Sequence, residues 1–355
     1  MKVHQIVTSL TYGDAISNET LAIKKFLNEE GIESEIYGYY HHPKLSKYFN
    51  HYSSFLSQSS KDDILIFHFS IGSPVSKTYF QAKEKKIMIY HNITPYKFFE
   101  NYHRILAKEC YKGRLELEKF VNKTDLGLGD SEYNRLELEE LGFKKTGVLP
   151  IVMDFAKFDR DGSKIIKSLY GDDKFNILFV GRVIPNKKID ELVKLFAIYQ
   201  RYYNPNSRLI IAGEYRGFER YLSDIYQIIG KYQVKDVILT GHISFNDLVA
   251  FYKIADLYIS LSEHEGFGVP LLEAFYNKIP VIGYDAGAVK ETMNGGGIII
   301  KEKNFGKLGA LMEEIRTDNI LKDKIIMGQN KALEKYSYEN IKKILLNHIN
   351  NLKEI

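Results

Sequence analysis

Short apolar runs alternate with longer amphipathic segments along the first half of the chain. The runs have the length and composition of buried strands. The segments between them repeat apolar residues at helical spacing, most clearly over residues 17–30 and 115–120. This alternation is typical of βαβ units. It predicts a mostly parallel sheet with strands over residues 2–7, 35–39, 64–69, 87–90, 126–129 and 147–149.

A connector without apolar periodicity, residues 154–164, is followed by a second round of the same alternation. Strands are predicted there over residues 176–180, 208–212, 237–239, 257–260, 280–282 and 298–300. We therefore expect an α/β protein with two doubly wound Rossmann-like domains, residues 1–160 and 161–335, whose parallel sheets face each other across a cleft. Residues 336–355 add an amphipathic helix that could pack on either half and so cross back to the N-terminal domain. Ligands of such folds bind outside the carboxyl ends of the strands.

Composition and charge exclude several classes of protein. The 355 residues are 45% hydrophobic, which excludes a disordered chain. Lys and Arg number 49 against 45 Asp and Glu, without a long single-sign block, so nucleic acid is not expected as a partner. The single cysteine, Cys110, excludes an intrachain disulfide framework and a cysteine-based zinc cluster. No apolar stretch reaches the roughly 18 residues that span a bilayer, and no signal peptide is visible, so we expect a cytoplasmic protein.

The most informative stretch follows the predicted strand at residues 257–260. It reads Glu265-Gly266-Phe267-Gly268-Val269-Pro270-Leu271-Leu272-Glu273. Its glycines let the backbone approach a ligand, and amides at a helix N-terminus favour phosphate or developing negative charge. Glu265 and Glu273 are about two helical turns apart, so one carboxylate can meet a reacting group while the other binds hydroxyls. A strand, a glycine turn and a capped helix without any ligand would give the same pattern.

A second stretch follows the predicted strand at residues 176–180. It reads Gly181-Arg182-Val183-Ile184-Pro185-Asn186-Lys187. The planar fork of Arg182 and the compact charge of Lys187 suit a diphosphate, and together they could neutralise a leaving group without a metal ion. A solvated basic loop is the alternative, because exposed Arg and Lys are common.

These two stretches resemble retaining glycosyltransferases of the GT-B fold, the large glycogen-synthase-like family 4. The segment from Glu265 to Glu273 is similar to the E-x7-E motif of that family, and Gly181-Arg182 with Lys187 is similar to its paired-cation loop. In the first half, Tyr12-Gly13-Asp14 and Tyr90-His91-Asn92 look like a bacterial branch that builds surface polysaccharides. The resemblance covers nearly the whole chain and is specific in the second half.

The resemblance implies a nucleoside diphosphate sugar held mainly by the C-terminal domain. Arg182 and Lys187 would bind its diphosphate, and Glu273 would bind its ribose hydroxyls. Glu265 would hold the transferred sugar together with neighbouring backbone amides. The complete set implied for donor binding is Gly13, Gly181, Arg182, Lys187, Glu265, Gly266, Phe267, Gly268, Val269 and Glu273.

The same resemblance gives the N-terminal, acceptor-side domain a share in the donor site. Gly13, after the first strand, would approach the donor. His91, after the strand at residues 87–90, matches the active-site histidine of the family, which contacts the donor sugar. The implied catalytic set is His91, Arg182, Lys187 and Glu265. Family members often have a second glycine beside Gly13 and a glycine at position 188, where this chain has Tyr12 and Lys188.

The implied reaction is metal-independent transfer of a sugar, with retention, to a hydroxyl of a growing glycan or a lipid-linked oligosaccharide in surface-polysaccharide synthesis. The donor is a substrate, so neither a cofactor nor a metal is expected. Aromatic and basic residues at 37–48 and 96–104 suit either contact with the inner membrane surface or ordinary core packing. The base, the sugar, the acceptor, the linkage and the oligomeric state stay open.

Other functions and sites also fit parts of the sequence. A nucleotide-sugar epimerase, a phosphorylase on the same fold, or a non-catalytic subunit that binds a nucleotide sugar would carry similar motifs. His68 ends a strand beside a glycine turn and is a secondary candidate or a structural histidine. Asp159-Arg160-Asp161 lacks the apolar strand that precedes a metal-binding D-x-D. Gly127-Leu128-Gly129 lacks the third glycine of a dinucleotide fingerprint, so a dehydrogenase is not expected.

Overall fold

The computed structural model describes residues 1–353, and the chain divides into two compact units. Unit 1 contains Met1–Lys97, Ile105–Met153 and the residues from Tyr336 onward. Unit 2 contains Phe98–Arg104 and Asp154–Lys335. The chain therefore leaves and re-enters unit 1 twice. Within the described residues, no helix combines the length and the apolar character needed to cross a membrane.

Unit 1 is built on a parallel sheet of seven strands in the order β3-β2-β1-β4-β5-β6-β7. The strands are β1 Val3–Leu10, β2 Ile36–His41, β3 Phe49–His51, β4 Ile64–Phe69, β5 Lys85–Tyr90, β6 Leu126–Gly129 and β7 Thr146–Val148. All six residues of β4 are buried, so the sheet is covered on both faces there. Continuous burial of this kind is what an uninterrupted apolar run in a parallel strand produces.

The helices of unit 1 come from both ends of the chain. They are α1 Ala15–Glu29, α2 Phe55–Gln58, α3 Val75–Gln81, α4 Arg104–Lys119, α5 Glu132–Glu140 and, after all of unit 2, α14 Tyr338–Lys353. Helix α14 places Ile341, Leu345, Ile349 and Leu352 in the same buried cluster as Val3. These four residues recur at helical spacing, so one face of the last helix completes the first core.

Unit 2 repeats the architecture with six parallel strands in the order β10-β9-β8-β11-β12-β13. The strands are β8 Phe175–Val180, β9 Ser207–Ala212, β10 Val237–Leu239, β11 Leu257–Ser260, β12 Val281–Tyr284 and β13 Ile298–Ile300. The helices are α6 Lys164–Tyr170, α7 Ile189–Tyr202, α8 Glu219–Tyr232, α9 Phe245–Ile254, α10 Val269–Tyr276, α11 Val289–Met293, α12 Phe305–Thr317 and α13 Asn319–Leu333. The prediction of two doubly wound parallel sheets is thus confirmed.

A short segment from the first half of the chain, Phe98–Arg104, also belongs to unit 2. The ring of Phe99 lies against the ring of Phe218, with 5.6 Å between their centroids. The hydroxyl of Tyr102 donates a hydrogen bond to Asp224 at 3.0 Å. An apolar anchor and a polar one together hold this segment on unit 2.

Candidate functional site

Two loops of unit 2 leave the same edge of its sheet. Strands β8 and β11 are parallel neighbours, so the loops that follow them begin side by side at their carboxyl ends. The first loop starts at Gly181 and leads into α7, and the second leads from Ser260 into α10. Adjacent parallel strands thereby bring the two sequence motifs together.

Backbone and side-chain hydrogen bonds tie these two loops to each other. The carbonyl of Asn186 accepts from the amide of Glu263 at 2.8 Å. The side-chain amide of Asn186, which is buried, donates to the carbonyl of His264 at 3.2 Å. Next to these contacts, Lys187 Nζ donates to Glu265 Oε1 at 2.6 Å. Of the predicted site residues, Lys187 and Glu265 are therefore in direct contact.

Lys188, one of the departures from the family pattern, has a left-handed backbone with φ of 54°. Glycine adopts this conformation most readily, which accounts for the glycine that family members often have there. In this chain the lysine side chain lies 3.3 Å from Glu263 and 3.6 Å from Glu191. Lys303 joins the same two carboxylates at 3.0 and 2.6 Å. The loops are thus linked by a second ion-pair network beside Lys187.

Close backbone contacts fix the paths of both loops. A Cβ atom added to Gly213 would lie 1.9 Å from the carbonyl oxygen of Gly181. A Cβ atom on Gly287, whose φ is +56°, would lie 2.3 Å from the carbonyl oxygen of Glu265. That carbonyl already accepts a hydrogen bond from the amide of Ala288 at 2.9 Å. The backbone at Glu265 is therefore held by Ala288 and lies so close to Gly287 that a side chain at position 287 has no room.

Arg182 is exposed, in contrast to Lys187, which is partly buried. Its guanidinium lies over the buried ring of Phe218, 5.7 Å from the ring centroid. Stacking on an aromatic face orients a guanidinium while leaving its edge available to an anion. Gly181 and Arg182 stand where the sequence predicts them, at the end of β8.

Glu273 lies inside α10 and is only 7% exposed. Its Oε2 accepts a hydrogen bond from the hydroxyl of Tyr252 at 2.8 Å, and Lys157 lies 3.8 Å from its Oε1. Burial raises the pKa of this carboxyl above its ordinary value. Its contact with ribose hydroxyls stays a prediction.

The remaining residues of this motif form the turn into α10. Gly268 has a φ of +96° and is the N-cap of the helix, which begins at Val269. The carbonyl of Phe267, whose ring is buried, accepts from the hydroxyl of Thr292 at 2.6 Å. Gly266 lies in the preceding turn. This segment is fixed by hydrogen bonds, and its expected contacts with the sugar stay untested.

Unit 1 has a polar cluster at the carboxyl edge of its own sheet. His91 directly follows β5, and its side chain is 2% exposed. Its Nδ1 lies 3.1 Å from both oxygens of Asp130, which follows β6, and 3.6 Å from Glu19 on α1. Its Nε2 lies 3.0 Å from Nδ1 of His68 on β4. Burial lowers the pKa of His91, but the opposing charges of Asp130 and Glu19 raise it to about 9.

The sequence predicted His91 and gave His68 as a secondary candidate, but it did not single out Asp130 or Glu19. Asp130 offered a signal, because a carboxylate placed directly after a buried strand lies at the ligand-binding edge of a parallel sheet. Glu19 offered none, since a glutamate within a helix is most often solvated. The expected contact of His91 with a donor sugar stays a prediction.

Gly13 lies in the loop between β1 and α1 and has a φ of +85°. A Cβ atom added there would meet nothing within 4 Å. The next residue, Asp14, caps α1 by accepting from the amide of Ser17 at 3.0 Å. The loop is thus anchored by its cap, while the glycine itself stays open to a ligand.

Comparisons with known proteins agree with the geometry of unit 2. The family described as "Glycosyl transferases group 1" matches residues 163–333. This segment is therefore similar to a glycosyl transferases group 1 domain. Both motif loops, with Arg182, Lys187, Glu265 and Glu273, lie inside it.

Curated relatives of the chain include a bacterial and an archaeal protein. The capsular polysaccharide biosynthesis glycosyltransferase CapM of Staphylococcus aureus is 29% identical over 187 residues, covering 51% of this chain and 48% of CapM. The uncharacterized glycosyltransferase MJ1607 of Methanocaldococcus jannaschii is 31% identical over 181 residues, covering 50% of this chain and 45% of that protein. The chain thus spans about half the length of the curated relatives that it matches.

A solved structure extends the likeness beyond the group 1 domain. The Anabaena protein HepE, in complex with UDP and glucose, is similar over 99% of this chain and 100% of its own, with a TM-score of 0.79 and 16% sequence identity. At this level of identity the likeness concerns the fold. Together with the two parallel-sheet units, it establishes the GT-B fold.

Proposed function

We propose that the protein is a retaining glycosyltransferase that moves a sugar from a nucleoside diphosphate donor to a hydroxyl group. The observation that carries this proposal is the contact between Lys187 and Glu265 inside a group 1 domain. It joins a cation suited to the diphosphate and a carboxylate suited to the sugar at the carboxyl edge of one sheet. HepE, which shares the fold, forms a complex with UDP and glucose, and this supports a nucleotide-sugar donor.

The proposed reaction breaks the bond between the anomeric carbon and the oxygen of the diphosphate. The acceptor oxygen forms the new bond to the same face of that carbon, and the acceptor proton goes to an oxygen of the departing phosphate. Negative charge therefore grows on the diphosphate in the transition state. Fixed donors and cations near that charge lower the barrier, and each is worth about 3–4 kcal/mol in comparable sites.

Lys187 and Glu265 neutralise each other while no donor is bound. Both side chains are partly buried, at 18% and 14% exposure, so leaving either one alone is unfavourable. A diphosphate offers Lys187 a stronger anion, and its arrival releases Glu265 to accept hydrogen bonds from sugar hydroxyls. Donor binding in this proposal is an exchange of ionic partners, which keeps the loops ordered before the donor arrives.

The proposal includes independence from a metal ion, because Arg182 and Lys187 supply two positive charges for the leaving diphosphate. EDTA should then leave the rate largely unchanged. Loss of activity in EDTA with recovery on addition of Mn²⁺ would contradict this part of the proposal and would leave the transferase function standing.

The proposed acceptor is a growing glycan or a lipid-linked oligosaccharide. Two relatives support this class: CapM, a glycosyltransferase of capsular polysaccharide biosynthesis, and the alpha-monoglucosyldiacylglycerol synthase of Streptococcus pneumoniae. Tyr39 and Tyr40, both about half exposed, are followed in the sequence of unit 1 by the exposed Lys44 and Lys47. Such a surface suits peripheral contact with a membrane that carries the acceptor.

A binding panel followed by turnover tests the function. Thermal shifts with UDP, GDP, ADP, TDP and their sugars identify the donor, because a ligand that binds the folded state raises its stability. The anomeric configuration of the product then tests retention. Epimerised or phosphorolysed donor in the absence of an acceptor would favour the rival enzymes, and binding without turnover on a broad acceptor panel would favour a non-catalytic subunit.

Substitution of the two cations tests their role. Lys187→Ala and Arg182→Ala should each lower kcat by about 10²–10³. Lys187→Ala leaves the partly buried Glu265 without its ion-pair partner and should lower the stability by about 1–3 kcal/mol. Lys253→Ala, on the exposed side of α9, is the matched control and should keep full activity. Normal turnover in both variants would remove the proposed role of this loop.

A further inference from the structure

A chain of buried hydrogen bonds in unit 1 runs from Thr20 through Gln5, His68 and His91 to Asp130. We propose that Gln5, His68 and Asp130 are positioning residues that hold His91 as an imidazolium, with a hydrogen on both ring nitrogens. The result is a fixed positive charge at the carboxyl edge of the sheet. Each link constrains the next, and the ionised carboxylate of Asp130, whose pKa is raised by burial and lowered by the charge of His91, completes the assignment.

The first link sets the orientation of the Gln5 amide. Its Nε2 lies 3.0 Å from the carbonyl of Thr20, which can only accept a hydrogen bond. The oxygen of the amide therefore faces Nε2 of His68, also at 3.0 Å. Since an amide oxygen only accepts, His68 must carry its hydrogen on Nε2. Desolvation and the charge of His91 keep the pKa of His68 well below its ordinary value, so its Nδ1 has a free lone pair.

The second link joins the two histidines. Nδ1 of His68 and Nε2 of His91 are 3.0 Å apart, and the ring planes differ by only 4°. The 5.3 Å between ring centroids equals that distance plus the radii of both rings, so the two nitrogens face each other in line. A bare Nδ1 on His68 requires a hydrogen on Nε2 of His91, because two lone pairs at this distance would repel.

The third link completes the charge. Nδ1 of His91 lies 3.1 Å from both oxygens of Asp130, and the ionised form of this carboxylate can only accept. Nδ1 of His91 therefore also carries a hydrogen. With both nitrogens protonated, the ring is a cation, and Asp130, which is equally buried, is its counter-ion. The raised pKa of His91, about 9, agrees with this assignment.

The other acidic groups around His91 also favour its cationic form. Glu19 on α1 is fully buried, and neither of its oxygens has a hydrogen-bond partner among the described residues. Burial raises the pKa of Glu19 to about 8, so it is mostly protonated at neutral pH. Asp14, in the loop before α1, adds a further negative charge that favours the imidazolium.

A proton fits between the histidines better than a metal ion does. Glu19, His68 and His91 offer ligand atoms within 4.8 Å of one another. A zinc ion holds each nitrogen at about 2.0–2.1 Å, so two nitrogens facing each other in line through the ion would be about 4 Å apart. The observed 3.0 Å is instead the length of a hydrogen bond. The two histidines are therefore joined by a hydrogen bond, with the hydrogen on Nε2 of His91.

The charge state is a property of the folded chain and does not depend on an activity. Its use in catalysis rests on the proposed transferase function. Because both N–H groups of His91 are engaged inside the cluster, His91 would act on an anionic ligand through its charge and position. A role of this kind predicts that turnover falls as His91 loses its proton.

NMR of the whole protein labelled with ¹⁵N-histidine tests the proposal directly. At pH 7 we expect two protonated nitrogens on His91 and one, Nε2, on His68. The signals are assigned by their loss in His91→Asn and His68→Asn. A neutral His91, or a hydrogen on Nδ1 of His68, would overturn the proposal whatever the protein catalyses.

Matched variants separate positioning from a structural role. Asp130→Asn removes the counter-ion and should lower the titration midpoint of His91 by about 1–3 pH units. His68→Leu removes the acceptor and should also lower it, whereas His68→Asn, whose side-chain oxygen can stand near the former Nδ1, should restore it. Gln5→Met removes the amide oxygen that faces Nε2 of His68, so the hydrogen of His68 should no longer be restricted to Nε2. Circular dichroism checks that each variant folds, and an unchanged midpoint in folded Asp130→Asn would refute the inference.

The kinetic readout is kept apart from the spectroscopic one. If the proposed function holds, the alkaline limb of the kcat profile should move to lower pH in Asp130→Asn, in step with the midpoint of His91. A shifted midpoint with no measurable turnover on any donor would reject the proposed function alone. If the midpoint of His91 shifts but the pH profile of kcat stays unchanged, the charge of His91 has no role in catalysis.

Discussion

Gly213 and Gly287 carry the backbone of unit 2 so close to neighbouring carbonyl oxygens that no side chain fits. Replacement of either by alanine forces the Gly181 or Glu265 segment to move. We expect Gly213→Ala and Gly287→Ala each to lower the free energy of unfolding by at least about 1–3 kcal/mol. The effect should be measurable by chemical denaturation.

Gly230 provides the control for these substitutions. It lies inside α8 with nothing within 4 Å of an added Cβ atom. Gly230→Ala should therefore stabilise the protein by about 0.5–1 kcal/mol, because alanine has the higher helix propensity. A similar loss of stability in all three variants would mean that steric contact is not the cause.

At the level of single residues, the sequence located the loops better than the contacts within them. Lys187 and Glu265 were both predicted at the site, but their pairing depends on β8 lying next to β11, and strand order is not encoded in local periodicity. The same is true of His68, His91 and Asp130, which follow or end three neighbouring strands. The sequence could identify Lys188 as a departure from the glycine of the family, but only the positive φ of this residue explained why glycine is favoured there.

At the level of elements, α14 shows what an amphipathic pattern can and cannot predict. Its apolar residues predicted a buried stripe, and Ile341, Leu345, Ile349 and Leu352 are buried, while Ile344 is partly buried. They could not predict which unit the helix packs on, because the apolar stripe could pack against the apolar surface of either unit. The segment Phe98–Arg104 was assigned to the first half for a related reason: it has no periodicity, and its anchors on Phe218 and Asp224 are far away in sequence.

The packing of α14 gives a second stability prediction. Leu345→Ala removes a fully buried side chain from the core of unit 1 and should cost about 2–5 kcal/mol. Asn347→Ala, on the exposed side of the same helix, should change stability by less than about 0.5 kcal/mol. Thermal unfolding followed by circular dichroism would measure both, and equal effects would contradict the core position of Leu345.

At the level of the whole molecule, the buried cluster of unit 1 makes stability depend on pH. The folded pKa of His91, about 9, and that of Glu19, about 8, both exceed the ordinary values. Each group therefore contributes stability that is complete below its ordinary pKa and is lost as the pH rises through the folded one. We expect the melting temperature to fall between about pH 5 and pH 9, by about 2–4 °C for each 1 kcal/mol lost.

Glu19→Gln isolates one of these contributions. The amide resembles the protonated carboxyl but does not titrate, so the decline between about pH 5 and pH 8 should become shallower. Glu118→Gln, at an exposed position of α4, is the control and should follow the wild-type curve. A Glu19→Gln curve as steep as that of the wild type would show that Glu19 does not lose a proton in this range.

Because α14 packs in the core of unit 1, that core can be completed only late in translation. The ribosome releases the last strand-bearing stretch of unit 1 near Met153, yet Leu352, which belongs to the same core, emerges about 200 residues later. At about 5–20 residues/s this delay is roughly 10–40 s. During translation the nascent unit 1 therefore exposes the apolar surface that α14 will cover, while unit 2 already has all but residues 98–104 of its sequence in one continuous piece. Unit 1 is thus translated first, but its core is completed last.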